Sequence, residues 1–480
     1  MNELILQPTW RLFGPEIGLT TLILLVLFFD LFGEIKLASL IRSSIFGACL
    51  IFVILFFLWP ANGTAFYGMF VVNPLAIFLK GIFLGALILT LFMTQEYMKN
   101  LGERTGDFVL LILISTLGAF FLASANDLIT LFITIEWMTI SLYVLTSYLK
   151  ADDYALEAGT KYLIMGAFSS AMFLYGISFV YGTIGSVHFD QIRAGLSHAQ
   201  QEPLFLMGLL LILSGIGFKI AAFPFQLWVP DVYQGAPTPI TAFLSVASKT
   251  AGFTALIKIL FVALNPNHLN WPILIALLSA TTLMYGNLGA LGQTNMKRLF
   301  GYSSIGHAGY LLMGIASGNQ PGMEATLFYL AAYAVSNLMA FLVIVIANRE
   351  LGSGEIAAYR GFAKKSPFLA GIFFLALLSL GGIPPLAGFF GKFLVLQAAI
   401  ARGYLWLALL GAVNVIISLY YYLSIVKEMY FKQAGSGEEK IKVEVPVKTL
   451  LFALVLATVG IGVFQEPLLG LVKSAAYTLF

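Results

Sequence analysis

Cysteine is almost missing. Cys49 is the only one in 480 residues, so neither a disulfide framework nor a thiolate metal cluster can be built within the chain. It lies in an apolar run and is expected to be a small buried side chain. Of the four histidines only His307 falls inside a long apolar run, which disfavours a bis-histidine haem, and no cysteine spacing fits an iron–sulfur cluster. No GxxxxGK[ST] phosphate loop is present, so nucleotide hydrolysis is not driven here; neither a Rossmann fingerprint after a strand nor any strand run is expected. Charge is the largest deficit. Asp, Glu, Lys and Arg make up 10% of the residues against 60% hydrophobic ones, with a mean hydropathy of +0.93. That is the composition of an all-α polytopic membrane protein. The net charge of +3 says little, because in a membrane protein the placement of charges matters more than their sum. Nucleic-acid binding has no support, and energy for any transport must come from a partner or from an ion gradient.

Apolar segments of about 20 residues, each long enough to cross roughly 30 Å of hydrocarbon, are predicted at 14–31, 39–59, 73–95, 108–124, 128–149, 158–182, 203–222, 237–264, 271–291, 299–316, 323–347, 366–398, 403–430 and 446–473. That makes about fourteen transmembrane helices. The first follows Arg11 and lacks a small-residue cleavage site, so a retained helix is expected. One set of alternate loops carries sixteen Lys or Arg, among them Lys99, Lys150, Arg298 and Lys365; the other carries only Arg11, Arg193, Arg402 and Lys473. Basic residues collect on the cytoplasmic side, so both termini are expected outside after an even number of crossings.

Six further lysines fall inside predicted spans. Lys80 and Lys258 lie about two turns from a helix end and are expected to snorkel to the headgroups. Lys161 comes four residues after Glu157, on one helix face near a cytoplasmic mouth, where a local ion pair competes with a functional role. Lys219 (GIGFKIAAFPF), Lys249 (SVASKTAGF) and Lys392 (FFGKFLVL) are surrounded by small or apolar residues. A charge near the bilayer centre costs about 2.5–3.5 kcal/mol on the lenient scale, so these three and Glu136 would cost on the order of 10 kcal/mol uncompensated. Such groups face the interior, pair with one another and mark ion or proton paths, although a buried pair can also serve only to fix helix register. His307, in GYSSIGHAGYLL, is either a hydrogen-bonded packing residue or a relay.

Two spans carry breakers at mid-depth: Pro224 and Pro230 follow Lys219, and Pro384 and Pro385 precede Lys392. Proline removes a backbone donor, and the freed groups are tolerated at that depth only where they line a hydrated or protein-buried cavity. A break beside a lysine therefore suggests water reaching the lysine. The breaks are five predicted helices apart, and an odd number of crossings turns the second unit upside down. The expected division is an opening three-helix segment (1–107), two inverted five-helix repeats (108–264 and 265–430), each containing a broken helix, and a charged cytoplasmic loop with the last helix (431–480). Paired broken helices at matching positions of inverted repeats point to an ion pathway. A buried lysine whose neighbours move can alternate between charged and neutral forms.

The stretches FPFQLWVPDVYQGAPTPITAFLSVASKTAGF (223–253), KRLFGYSSIGHAGYLL (297–312) and GGIPPLAGFFGKF (381–393) resemble the antiporter-like membrane subunits of respiratory complex I and related complexes, with likeness over nearly the whole chain. The resemblance implies functional roles for Glu136 on the fifth helix, Lys219 and Lys249 on the seventh and eighth, and Lys392 on the twelfth. Sister subunits tend to place an acid, or a lysine followed by an acid, at the last position; here Phe393 follows Lys392. The resemblance further implies a proton-translocating subunit of an NADH:quinone oxidoreductase. Its partners would be other antiporter-like and small helical membrane subunits. NADH, flavin, iron–sulfur clusters and quinone would be held by partners, with no cofactor or metal in this chain. The expected location is the bacterial cytoplasmic membrane, ahead of a thylakoid-type one. Two other readings stay open: a cation/proton antiporter subunit or stand-alone secondary carrier, and a scaffold whose buried charges serve only helix register.

Overall fold

The structure, a computed structural model, describes residues 11–33, 36–59, 61–100, 106–264, 270–433 and 440–480. Among these, twelve helices are long and apolar enough to cross a membrane, from Gly14–Phe32 to Val445–Val463. Met296–Ala316 is a further 21-residue helix, richer in polar side chains. The predicted span 366–398 divides into Pro367–Gly381 and Ala387–Ala401.

Helix starts follow from side chains that satisfy the unpaired N–H groups of a first turn. Asn73, Asp127, Asp152, Asn295 and Asn319 each accept such a bond. Glycine at positive φ ends both 32-residue helices, Asp153–Ile184 at Gly185 and Gln320–Leu351 at Gly352, as expected where the chain must turn left-handed.

Several details depart from expectation. A short antiparallel hairpin, Gly63–Ala65 with Phe70–Val72, forms where no strand was predicted; its three-residue strands are too short for a periodicity signal. The predicted span 446–473 divides into Val445–Val463 and Glu466–Tyr477, and Phe189–Ala199 forms an additional helix that buries Phe189, Ile192 and Leu196. Cys49 is exposed rather than buried, on a helix that also exposes Phe46, Phe56 and Phe57. Lipid tails are as apolar as a protein core, so hydrophobicity alone does not separate lipid-facing from protein-facing positions.

The chain forms two compact units. One comprises the chain up to Ile220, Ala247–Asn270 and Leu471–Phe480; the other comprises Ala221–Val246 and Trp271–Gly470. The same local arrangement occurs in each. Asp127 bridges His188, with Leu128 N–H donating to Val187 O at 3.0 Å; Asn295 bridges Glu355, with Met296 N–H donating to Gly354 O at 2.8 Å. The His188 and Glu355 amides donate to Ser186 Oγ and Ser353 Oγ, both at 3.2 Å. The two helix breaks also share a backbone path. A residue at positive φ, Ala221 (60°) or Gly382 (89°), follows the helix and precedes a turn with a cis peptide bond before Pro224 or Pro385. Each turn closes with one bond, Phe225 N–H to Ala222 O at 2.7 Å and Leu386 N–H to Ile383 O at 3.2 Å.

Candidate functional site

In the first unit, helix Leu128–Thr146 carries Glu136 and, one turn on, Thr139. The Lys219 ammonium donates to Glu136 Oε1 at 3.1 Å and to Thr139 Oγ1 at 3.0 Å. Ser170 Oγ donates to the same carboxylate oxygen at 2.7 Å. The Tyr143 ring centroid lies 5.9 Å from Nζ. Lys219 occupies the last turn of Pro203–Ile220, where unpaired carbonyls and the helix dipole favour a cation. The ammonium is thus held by one carboxylate and one hydroxyl, and Lys219 is only 5% exposed.

Lys249 is buried, 3% exposed. It begins the α-helical stretch Lys249–Ile257, directly after the π-helical turn Leu244–Ser248. Such turns insert a residue into a helix and are frequent at functional sites. Gly252, one turn beyond Lys249, lets this helix approach the end of the Lys219 helix: a Cβ there would lie 2.8 Å from Ile220 Cγ2 and 3.1 Å from the Lys219 carbonyl carbon. Lys161 forms its ion pair with Glu157 at 2.6 Å, with both side chains substantially exposed.

In the second unit, Lys392 reaches back across the break and donates to Gly381 O, the last residue of the preceding half-helix, at 3.0 Å, and to Ser418 Oγ at 3.4 Å. It is 3% exposed, and its Nζ sits 5.1 Å from the Tyr310 ring centroid. Lys219 and Lys392 thus flank helix breaks in different ways: Lys219 sits on the last turn before its break, whereas the Lys392 ammonium reaches back to the carbonyl end of the preceding half-helix. The imidazole of His307 lies between two phenols, with Nδ1 2.6 Å from Tyr329 Oη and Nε2 3.1 Å from Tyr422 Oη; Tyr422 in turn bonds Ser303. A neutral imidazole is a donor at one nitrogen and an acceptor at the other, and a phenol can be either, so this line can pass a proton by exchange of tautomers. Tyr310 joins the two sites: its ring lies edge-on to Tyr329 at 6.0 Å and beneath the Lys392 ammonium.

The structure therefore brings Glu136 and Lys219 into contact, packs the Lys249 helix beside them, and links His307 to Lys392 through tyrosine. Sequence reasoning missed Thr139, Ser170, Tyr329, Tyr422 and Ser418, and no local signal marks them. Thr139 is the exception, since a hydroxyl one turn from Glu136 shares its helix face. Two expectations are corrected. Lys80 and Lys258 do not snorkel: Lys80 is buried in an ion pair with Glu16 at 2.6 Å, and Lys258 is buried and donates to Ala125 O at 2.7 Å. Among the described residues, no three His, Cys, Asp or Glu side chains come together as a metal site.

Residues 125–418 match the family model described as NADH:quinone oxidoreductase/Mrp antiporter, TM. The chain is 40% identical to NADH-quinone oxidoreductase subunit N of Heliobacterium modesticaldum over 91% of this chain and 92% of that one. It is 39% identical to the protein of the same name from Moorella thermoacetica over 97% and 96%. Among solved structures, a chain of respiratory complex I from Thermus thermophilus superposes with a TM-score of 0.81 at 30% identity, covering 95% of this chain and 98% of that one. The chain belongs to the NADH:quinone oxidoreductase/Mrp antiporter transmembrane family.

Proposed function

We propose that this chain is a proton-translocating membrane subunit of an NADH:quinone oxidoreductase of the complex I type, moving protons through Glu136, Lys219, Lys249, His307 and Lys392 while partner subunits perform the redox chemistry. The carrying observation is the buried Lys219 ammonium, held by the Glu136 carboxylate and Thr139, on the last turn of a helix that stops at Ile220. A buried pair of this kind is weak evidence for stability, since apolar residues of similar volume often serve as well. It does provide two groups that can exchange a proton inside the bilayer. Lys392 and its broken helix support the same reading for the second unit. On this reading the exposed Lys161–Glu157 pair takes up a proton from the cytoplasmic side.

The recurrence of the Asp127/Asn295 bridges and of the two proline turns supports a division into two repeats, helices 4–8 (108–264) and 9–13 (265–430), after the opening segment 1–107 and before the final segment 431–480. Their inversion follows from five crossings per repeat, with both termini outside a bacterial cytoplasmic membrane. NADH, flavin, iron–sulfur clusters and quinone belong to partner subunits. In the intact complex, Lys249→Ala or Glu136→Gln is expected to lower proton pumping, and undiminished pumping would contradict the proposal. A stand-alone carrier would transport when reconstituted alone, whereas this reading requires co-purification with quinone-reducing partners.

A further inference from the structure

Glu16, Lys80 and Lys258 form a second buried ionisable cluster, apart from the residues just assigned. Lys80 is 0% and Glu16 2% exposed. Their side chains meet in an ion pair at 2.6 Å, and among the described residues neither carboxylate oxygen nor Nζ has a further hydrogen-bond partner. A buried ion pair repays its desolvation only when its remaining lone pairs and protons are satisfied, so this pair is poorly built as a stabilising staple. Lys258 is tied to it through backbone. Its ammonium donates to Ala125 O, Ala125 bridges Phe70, and the Phe70 ring lies 5.1 Å from the Lys80 ammonium. Phe13, three residues before Glu16, stacks on Phe70 at 4.1 Å.

Glu16 lies in the first turn of Gly14–Phe32, and Lys80 lies in the second turn of Pro74–Tyr97. Lys258 opens the terminal π-helical turn Lys258–Ala263 of the helix that carries Lys249. Nine residues of helix separate the two lysines, about 13 Å along the axis. All three groups sit toward one end of their spans, the end assigned to the outer face by the distribution of basic loops.

We propose that Glu16, Lys80 and Lys258 are the proton-release site of the first unit, carrying protons from Lys249 to the outer surface; this rests on the translocation reading above. In the step, Lys80 gives its proton to the Glu16 carboxylate, and the resulting acid releases it to outside water. The Lys80 amine then takes a proton from the Lys258 ammonium by way of an intervening water. One proton leaves, Lys80 and Glu16 regain their charges, and Lys258 is neutral and ready to be loaded again.

The test uses the intact complex in sealed vesicles, measuring assembled amount, NADH oxidation and protons moved per NADH for Lys258→Met, Lys258→Arg, Glu16→Gln and Lys249→Met. Arginine keeps the charge and the donor to Ala125 O but does not give up a proton. The expected result is an assembled, NADH-oxidising complex in which Lys258→Arg loses proton yield as Lys258→Met does, and Glu16→Gln loses it too. Full proton yield in Lys258→Arg, or failure of both Lys258 variants to assemble, would assign the cluster a structural role and overturn the proposal. If Lys249→Met also pumps normally, the translocation reading fails; if only Lys249→Met is impaired, the release site alone fails.

Discussion

Replacing Glu136 by glutamine removes one charge while keeping the volume and an acceptor for the Lys219 ammonium. Breaking a buried ion pair by neutralising one partner costs about 3–5 kcal/mol, and the retained neutral hydrogen bond returns about 1 kcal/mol of this. Thr139 stays in place at 3.0 Å, and the Glu136 side chain is 18% exposed, so the lower end applies, about 2 kcal/mol. Every step that passes through the charged form of Lys219 is raised by that amount, which slows it roughly 30-fold at 1.36 kcal/mol per factor of ten. The assay is proton movement into sealed vesicles containing the intact complex, with NADH oxidation measured in parallel. A second variant sharpens it: Glu136→Gln combined with Lys219→Met removes both charges, so the assembled amount should recover relative to the single variant while pumping stays low. A single variant that pumps at the unaltered rate, or a double variant that restores pumping, would refute the reasoning and favour a pair that only fixes helix register.

Three further outcomes follow from the geometry. Lys392→Met takes away the donor to Gly381 O and leaves a buried helix-end carbonyl unpaired, costing about 1–3 kcal/mol; proton yield should fall and the complex should melt at a lower temperature. Tyr329→Phe removes the 2.6 Å bond to His307 Nδ1, worth about 1 kcal/mol; assembly should survive while proton movement slows, and unchanged pumping would reduce His307 to a packing residue. At Gly462 an added Cβ would overlap the Pro385 carbonyl oxygen beside the second helix break. Gly462→Ala should therefore destabilise the complex by about 1–3 kcal/mol, read as lower assembled yield or an earlier thermal transition, whereas equal yield and melting would show that the break tolerates displacement.

The helices were legible because each apolar run is long enough to cross a bilayer, and the breaks because proline and glycine interrupt runs that otherwise have no reason to stop. Glu136, Lys219 and Lys392 stood out by the cost of placing charge at depth. Their partners did not: Ser170 lies 34 residues from Glu136 in sequence and Ser418 lies 26 from Lys392, and a serine in a membrane helix satisfies itself so readily that it carries no signal. Lys80 was misjudged for a related reason. Distance from a helix end permits snorkelling, but the choice between headgroup and protein depends on whether a carboxylate waits nearby, and Glu16 is far away in the sequence. Glu16 itself reads as an ordinary acid at a helix start, favoured there by the dipole. The π-helical turns flanking Lys249–Ile257 leave no mark in hydrophobic periodicity, because that helix is buried on every side.

The central claim is that lysines lodged deep in the membrane beside interrupted helices change protonation state during turnover. The most direct measurement is the number of protons moved per NADH by intact complexes in which Lys219, Lys249 or Lys392 is replaced singly by methionine, with assembly verified for each. The account predicts that each replacement lowers that number while NADH oxidation by an uncoupled preparation persists. The same number for all three as for the unaltered complex would contradict it.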